Sequence, residues 1–374
     1  MNPHLATPAG KPRARALGLP LAGTPGPANA ITDVPGLEVG FVTLVEGDDV
    51  RTGVTAVHPR GREEPVDPCA AGVFSLNGNG EMTGWAWVEE SGTVSGPITL
   101  TSTNAVGTAR DATAAWVAAR SPELAELWLL PVATETWDGF LNDMHAGRVD
   151  RAAVFAALDA AAPGPVEEGS VGGGTGMVCY GFKGGTGTAS RVAPWGAAGA
   201  FTVGVLLQCN FGSRRELTVA GVPVGAALAD DDPLEEWAAA TGAGSVVAVV
   251  ATDAPLLPGQ CAALARRVPL GLARTGTTGS HFSGDLFLAL STANPGSFAT
   301  GFPGPEPPAP ARLAFLPWTG IDPLYEAVVQ CVEEAVLDAI VANEEMVGLR
   351  GRLVPALPRE RVRELVRAHG RGAP

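Results

Sequence analysis

Residues 240–259 read ATGAGSVVAVVATDAPLLPG. Ala240 to Gly244 are small and flexible, Val246 to Ala251 is a β-branched and alanine run, and Ser245 sits on the seam. The run predicts a buried strand over 245–252, too short and too β-branched for a helix. A serine opening such a strand directly behind a glycine suits an N-terminal nucleophile made by self-cleavage. Attack of the Ser245 hydroxyl on the Gly244 carbonyl would turn the peptide into an ester that water can hydrolyse. The freed α-amine, with an ordinary pKa of about 7.7 to 8.0, would then be a general base on the same residue as its hydroxyl. Glycine at 244 reduces steric obstruction and tolerates strained backbone angles.

Outward from the seam, the rest of the chain supplies more strands and amphipathic helices. ITDVPGLEVGFVTLVEG (31–47) and RTGVTAVHPRG (51–61) alternate like strands broken by turns. AFTVGVLLQCNFG (200–212) is a buried strand, DLFLALST (285–292) another, and LAELWLLPVATETWDG (124–139) a short buried strand running into a loop. A helix is expected from about Thr108 in TARDATAAWVAARS, and another in DDPLEEWAAATG (231–242) behind an aspartate cap. PGQCAALARRVPLGLARTG (258–276) is helical, with Pro269 expected to kink or shorten it. In DPLYEAVVQCVEEAVLDAIVANEEM (322–346), Leu324, Val328, Cys331, Val332, Val336 and Ile340 form one apolar stripe behind an Asp322 cap. Residues 1–30, rich in Pro, Gly and Ala, read as an extended arm, and the Pro/Gly-rich stretch 294–312 as a surface connection. Strands and helices in no regular βαβ order predict a layered α+β sandwich. A single integrated domain over 1–374 is expected.

Composition narrows the function. The chain has 374 residues, 46% hydrophobic and 17% charged, enough for a large core. A formal charge of -14 argues against a phosphate-backbone partner, so no nucleic acid is expected. Five cysteines (Cys69, Cys179, Cys209, Cys261, Cys331), odd in number and without a C-x-x-C pair, signal neither a disulfide framework nor a zinc site. No metal and no cofactor are expected. Neither a secretory apolar segment before Arg13 nor eighteen uninterrupted apolar residues occur, which predicts a cytoplasmic protein without a membrane partner. Lys183 within GGGTGMVCYGFKGGTGTAS invites a phosphate-binding reading, but the G-K-[ST] order is absent. Cysteine hydrolase chemistry lacks a histidine partner in local sequence.

Six collinear phrases then carry a family likeness: RARALGLPLAGTPGPANAITDVPGLEVG, NGNGEMTGWAWVEESG, GGGTGMVCYGFKGGTGTASR, LQCNFGSRRELTVAGVPVG, GSVVAVVATDAPLLPGQ and SGDLFLALSTAN. In these the chain resembles the DmpA-type self-processing serine aminopeptidases, which include the β-peptidyl aminopeptidases, over nearly its whole length. The resemblance implies a four-layer αββα sandwich related to the N-terminal-nucleophile hydrolases, cut into pieces 1–244 and 245–374 between Gly244 and Ser245. It implies Ser245 as nucleophile, and Ser283 and Asp285 beside it to orient its hydroxyl and amine. The family commonly carries glutamate at the second of these positions, so Asp285 reaches one methylene less far. Asn210 matches an oxyanion-stabilising asparagine. Glu135 matches an acidic residue facing the substrate's free amino group. Trp137 stands where a tyrosine is expected, without its hydroxyl. The Asn77–Gly84 turn and Gly173, Gly174 and Gly176 are expected in the cleft floor. The implied substrates are small peptides, amino-acid amides or esters, the implied assembly a homo-oligomer of αβ units. An acyltransferase of the ornithine acetyltransferase type on the same fold is disfavoured by serine after glycine at the cut; a non-catalytic protein of this fold is disfavoured by the intact Ser245, Asn210, Ser283 and Glu135.

Overall fold

A computed structural model of the protein describes residues 2–64, 66–124, 128–230, 232–234, 244–298 and 309–371. The helix expected over 231–242 and part of the connection 294–312 lie outside them. Ten strands close into two stacked sheets. In one, β1 (Glu38–Glu46), β2 (Val50–His58), β5 (Ile98–Ser102) and β6 (Val132–Thr136) run in the order β1-β2-β5-β6. In the other, the order is β4 (Thr93–Val94), β3 (Cys69–Gly78), β12 (Ser283–Ser291), β11 (Gly244–Thr252), β10 (Ala200–Asn210) and β9 (Gly185–Pro194). Between β6 and β9 lies a small hairpin of β7 (Val178–Cys179) and β8 (Phe182–Lys183).

Strand alternation shows why Val246–Ala251 has no polar position. Val247, Val249 and Ala251 join Leu206, Leu286, Leu288 and Leu290 against Val57, Ile98, Leu100 and Val132 in the core between the sheets. Val246, Ala248 and Val250 turn the other way, with Phe287 and Ala289, onto Cys261, Leu264, Leu272, Val328 and Val332 of three helices. A strand buried on both faces reads as a continuous apolar run. Each valine so buried contributes roughly 1.5–3 kcal/mol. The outer face of the four-stranded sheet packs Val54, Ala56 and Ala133 under the helices Val106–Arg120 and Arg151–Asp159. The layers therefore run helix, sheet, sheet, helix, the αββα sandwich implied by the likeness.

The helix expected over 258–276 is cut short, one of the two outcomes expected of Pro269: Pro258–Ala265 ends before it, and Val268–Arg274 follows with Pro269 in its first turn, where a missing N–H is harmless. Two local expectations change. Asp322 is not the cap of the long helix Asp322–Val341; Ile321 is, and Asp322 lies in the first turn, where its charge opposes the positive helix end. Residues 1–30 are no free arm. Arg13 is buried, with ion pairs of 2.7 Å to both Glu168 and Asp338, and Arg15 and Arg191 both pair with Glu334. Three guanidinium groups thus neutralise three acids between the N-terminal segment and the long helix, as buried charges require.

Candidate active site

The ladders bring distant residues to one end of the six-stranded sheet. β11 and β12 are parallel, and the two helices Pro258–Ala265 and Val268–Arg274 form the crossover that parallel pairing needs. Both strands therefore start at the same end. Gly244 opposes Ser283, Ser245 opposes Gly284, and Val246 opposes Asp285. β10 runs antiparallel to β11, so its last residue, Asn210, opposes Ser245. β3 is antiparallel to β12 and ends there too, with Asn77 opposite Asp285.

Alternation divides these residues between the two faces. Ser245 and Asn210 follow Val247 and Leu206 toward the other sheet, whereas Ser283 and Asp285 follow Phe287 onto the helix side. On the first face, the Trp137 backbone N–H donates to Ser245 Oγ at 3.0 Å. Asn210 Oδ1 accepts the Val178 N–H at 2.9 Å, which identifies that atom as the oxygen and leaves Nδ2 as the donor end of the carboxamide. On the second face, the Ser283 hydroxyl donates to Asp285 Oδ1 at 2.5 Å. A Cβ built on Gly244 would lie 3.4 Å from Ser283 Oγ and 3.3 Å from the Asn210 carbonyl oxygen. Gly244 does not have a positive φ. What it supplies is space, not strain.

Burial raises the Asp285 carboxyl above its ordinary range, and the bonds from Ser283, Asn77 and the Val246 N–H pull it back. The Ser283 proton is committed to Asp285, which leaves Oγ an acceptor on the Gly244 side of the strand pair. Ser245, Asn210, Ser283, Asp285 and Glu135 are all at most 5% exposed.

Glu135 lies near the end of β6, opposite Thr101. Its Oε1 accepts the Glu81 N–H at 2.9 Å, and its Oε2 accepts the Thr103 hydroxyl. Burial raises its pKa; these two bonds oppose the shift. Gly80 separates it from the start of β12: a Cβ there would sit 3.1 Å from Glu135 Oε1 and 3.2 Å from Gly284 Cα. The Asn77–Gly84 turn thus packs between Glu135 and the start of β12. Phe140 is buried in a small cluster with Leu141, Val178 and Val354, and the Trp137 side chain packs on that cluster. Trp137 meets Ser245 through its backbone.

Several supporting residues were not singled out from sequence. Asp138 is fully buried, accepts the Ser102 hydroxyl at 2.8 Å, and is pushed up to about 6 by burial. Its carbonyl receives the Leu141 and Asn142 N–H groups, which fixes the turn behind Trp137. An aspartate directly after a strand, two residues before an aromatic, was the available signal. Tyr180 holds a φ of +53°, rare for an aromatic residue. Its hydroxyl bonds Thr275 Oγ1 at 2.7 Å and receives the Thr277 N–H at 3.1 Å, tying the hairpin to the loop ahead of Ser283. Gly212, at φ +83°, makes room: a Cβ there would fall 2.4 Å from the Tyr180 ring.

Lys183 points inward, its Nζ donating to the Met177 and Gly184 carbonyls at 2.8 and 2.7 Å. Burial lowers its pKa to about 7. These bonds brace the segment that carries Val178, which is no phosphate-cradle role. All five cysteines are buried and free, and burial lifts Cys69 to about 11 and Cys179 and Cys331 to about 12, so none is a thiolate near neutrality. Among the described residues no cluster of three His, Cys, Asp or Glu side chains is placed to hold a metal, and no helix is long and apolar enough to cross a membrane.

Comparison with known proteins finds relatives that match nearly the whole chain. The chain is 44% identical over 378 residues to the β-peptidyl aminopeptidase BapA of Sphingosinicella microcystinivorans, covering 96% of this chain and 93% of that one. Its structure matches the L-aminopeptidase D-Ala-esterase/amidase of Ochrobactrum anthropi, described as a prototype for the serine aminopeptidases and a variant of the Ntn hydrolase fold. That match has a TM-score of 0.90 at 45% identity, covering 97% of this chain and 100% of the other. A β-aminopeptidase of Burkholderia sp. matches with a TM-score of 0.87 at 44% identity, over 96% and 99% of the two chains. The sequence profile of peptidase family S58 spans residues 29–354, and the chain belongs to that family.

Proposed function

We propose that the chain cuts its own backbone between Gly244 and Ser245, and that Ser245 then acts as the N-terminal nucleophile of a serine aminopeptidase. The observation that supports this most is the register: Gly244–Ser245 heads β11 between Asn210 on one side and the Ser283–Asp285 pair on the other. In cleavage, Ser245 Oγ bonds to the Gly244 carbonyl carbon, the C–N bond breaks, and the amide becomes an ester. Water hydrolyses that ester, leaving a carboxylate on Gly244 and an amine on Ser245.

In turnover, Oγ attacks the first carbonyl of a substrate that has a free amino group, giving its proton to the Ser245 amine. Asn210 Nδ2 donates to the oxyanion, and the leaving group takes the proton from the amine. A water then releases the acyl group by the same route. Ser283 and Asp285 stand opposite Gly244 and Val246, on the face away from the Ser245 hydroxyl, so the role we propose for them is to hold the amine. Glu135 pairs with the substrate ammonium, which confines cutting to the first residue. Trp137 supplies its N–H. The substrates are small peptides, amino-acid amides or esters, β-amino acids included, in line with the names of the relatives. The buried cysteines, none in a disulfide, fit a cytoplasmic protein, and the assembly we propose from the family likeness is a homo-oligomer of αβ units.

Intact-mass measurement tests the proposal. Purified protein should show a fragment beginning at Ser245, and Ser245→Ala should give one unbroken, inactive chain. Active protein with residue 245 still internal would refute it. Aminoacyl p-nitroanilides with α- and β-amino acids would then rank substrates.

A further inference from the structure

The pairing of β3 with β12 holds step from Ser291 opposite Ala70 to Leu286 opposite Ser75, then jumps, with Asp285 opposite Asn77. Leu76 is the extra residue of a β-bulge, and it is 42% exposed. Directly opposed side chains share a face. In an unbroken ladder Leu76 would stand beside Asp285; the bulge puts Asn77 there instead, the re-aiming that bulges perform next to active sites. Asn77 uses both its N–H bonds: Nδ2 donates to Asp285 Oδ2 at 2.8 Å and to the Ser280 carbonyl at 3.0 Å. Asp285 is therefore gripped by Asn77 on one oxygen and by Ser283 on the other, with the Val246 N–H as a third donor.

From this geometry we infer that Asn77 is a positioning residue for catalysis. By fixing the Asp285 carboxylate and the loop ahead of β12, it sets the Ser283 oxygen against the nitrogen of the nucleophile. The inference rests on the proposed role of Ser283 and Asp285 beside Ser245. No ligand contact is required of Asn77.

The test uses full-length protein, with kcat, KM and their pH dependence measured on an aminoacyl p-nitroanilide. Asn77→Ala should lower kcat about tenfold to a hundredfold with KM unchanged. It should also move the acid limb of kcat to higher pH, because a carboxylate that loses a donor is more easily protonated. Asn77→Asp, of the same shape, should move that limb further by placing a like charge there. Added to Asp285→Asn, Asn77→Ala should have almost no further effect. A variant that melts like the wild type but processes more slowly also supports the inference. Wild-type kcat and pH profile in Asn77→Ala, or losses that multiply with those of Asp285→Asn, would overturn it. If Asp285→Asn is impaired while Asn77→Ala is not, the Asn77 role alone falls. If Asp285→Asn turns over normally, the reading of the Ser283–Asp285 pair falls, and the role of Asn77 with it.

Discussion

The Trp137 backbone N–H and the Ser245 hydroxyl oxygen are 3.0 Å apart, across the gap between the two sheets. An N–H can only donate, so this contact occupies a lone pair of Oγ and leaves the hydroxyl proton free to leave. The contact depends on Gly139, because a Cβ there would fall 2.8 Å from the Trp137 indole. In Gly139→Ala the indole must shift, and we predict that the Trp137 backbone shifts with it. A displacement of about 1 Å near a reacting atom can lower a rate by roughly a hundredfold. We expect kcat of Gly139→Ala to fall at least about tenfold with little change in melting temperature, measured by steady-state kinetics and circular dichroism.

Asn210 is held by its oxygen, so its donor end is available without rearrangement. Asn210→Ala should lower kcat by about 10²–10³ and leave KM nearly unchanged. Asn210→Asp keeps the shape but replaces the donor with an acceptor, and should be at least as slow. Kinetics on amide and ester substrates would check both.

Glu135 gives a pH signature. Burial raises its carboxyl above the ordinary range, so the charged form that pairs with a substrate ammonium is lost at a higher pH than for an exposed glutamate. The acid limb of kcat/KM should reflect this titration. Glu135→Gln should flatten that limb and raise KM by about ten- to a hundredfold. For stability the sign is opposite to that of a salt-bridged acid. Between its unfolded pKa and its raised folded pKa the folded state binds more protons, so its contribution to stability falls as pH rises through that window. Urea unfolding of the uncleaved Ser245→Ala chain, with and without Glu135→Gln, would show it.

Arg13 is the centre of the buried charge cluster. Arg13→Ala leaves Glu168 and Asp338 without their shared cation and should destabilise the fold by about 3–5 kcal/mol. Thermal unfolding of the Ser245→Ala, Arg13→Ala chain measures this, since the uncleaved background keeps one polypeptide to unfold.

The apolar run after Ser245 was legible because burial on both faces leaves a strand no polar position. Strand β10 was legible for the same reason. β3 and β9 were not: CAAGVFSLNG and GTGTASRVAP are diluted by glycine, alanine and hydroxyl residues whose burial depends on neighbouring layers. The N-terminal segment looked extended because its anchor is a set of charges on a helix more than 300 residues away. Ser283, Asp285 and Asn210 reached the candidate site by family likeness, because ladder register is a non-local property. Asn77 was placed only with the cleft floor, since nothing in its own sequence announces the bulge that turns it toward Asp285.

The strand order has a consequence for the lifetime of the mature protein. β12 and β11, which follow the proposed cut at Gly244–Ser245, lie between β3 and β10, which precede it. Once severed, the shorter piece is clasped on both edges by the longer one, and parting them would mean unzipping two ladders at once. Folding is then an event the chain can perform while whole but has no comparable route to repeat as two fragments. Such an enzyme endures through slow unfolding rather than through a reversible balance.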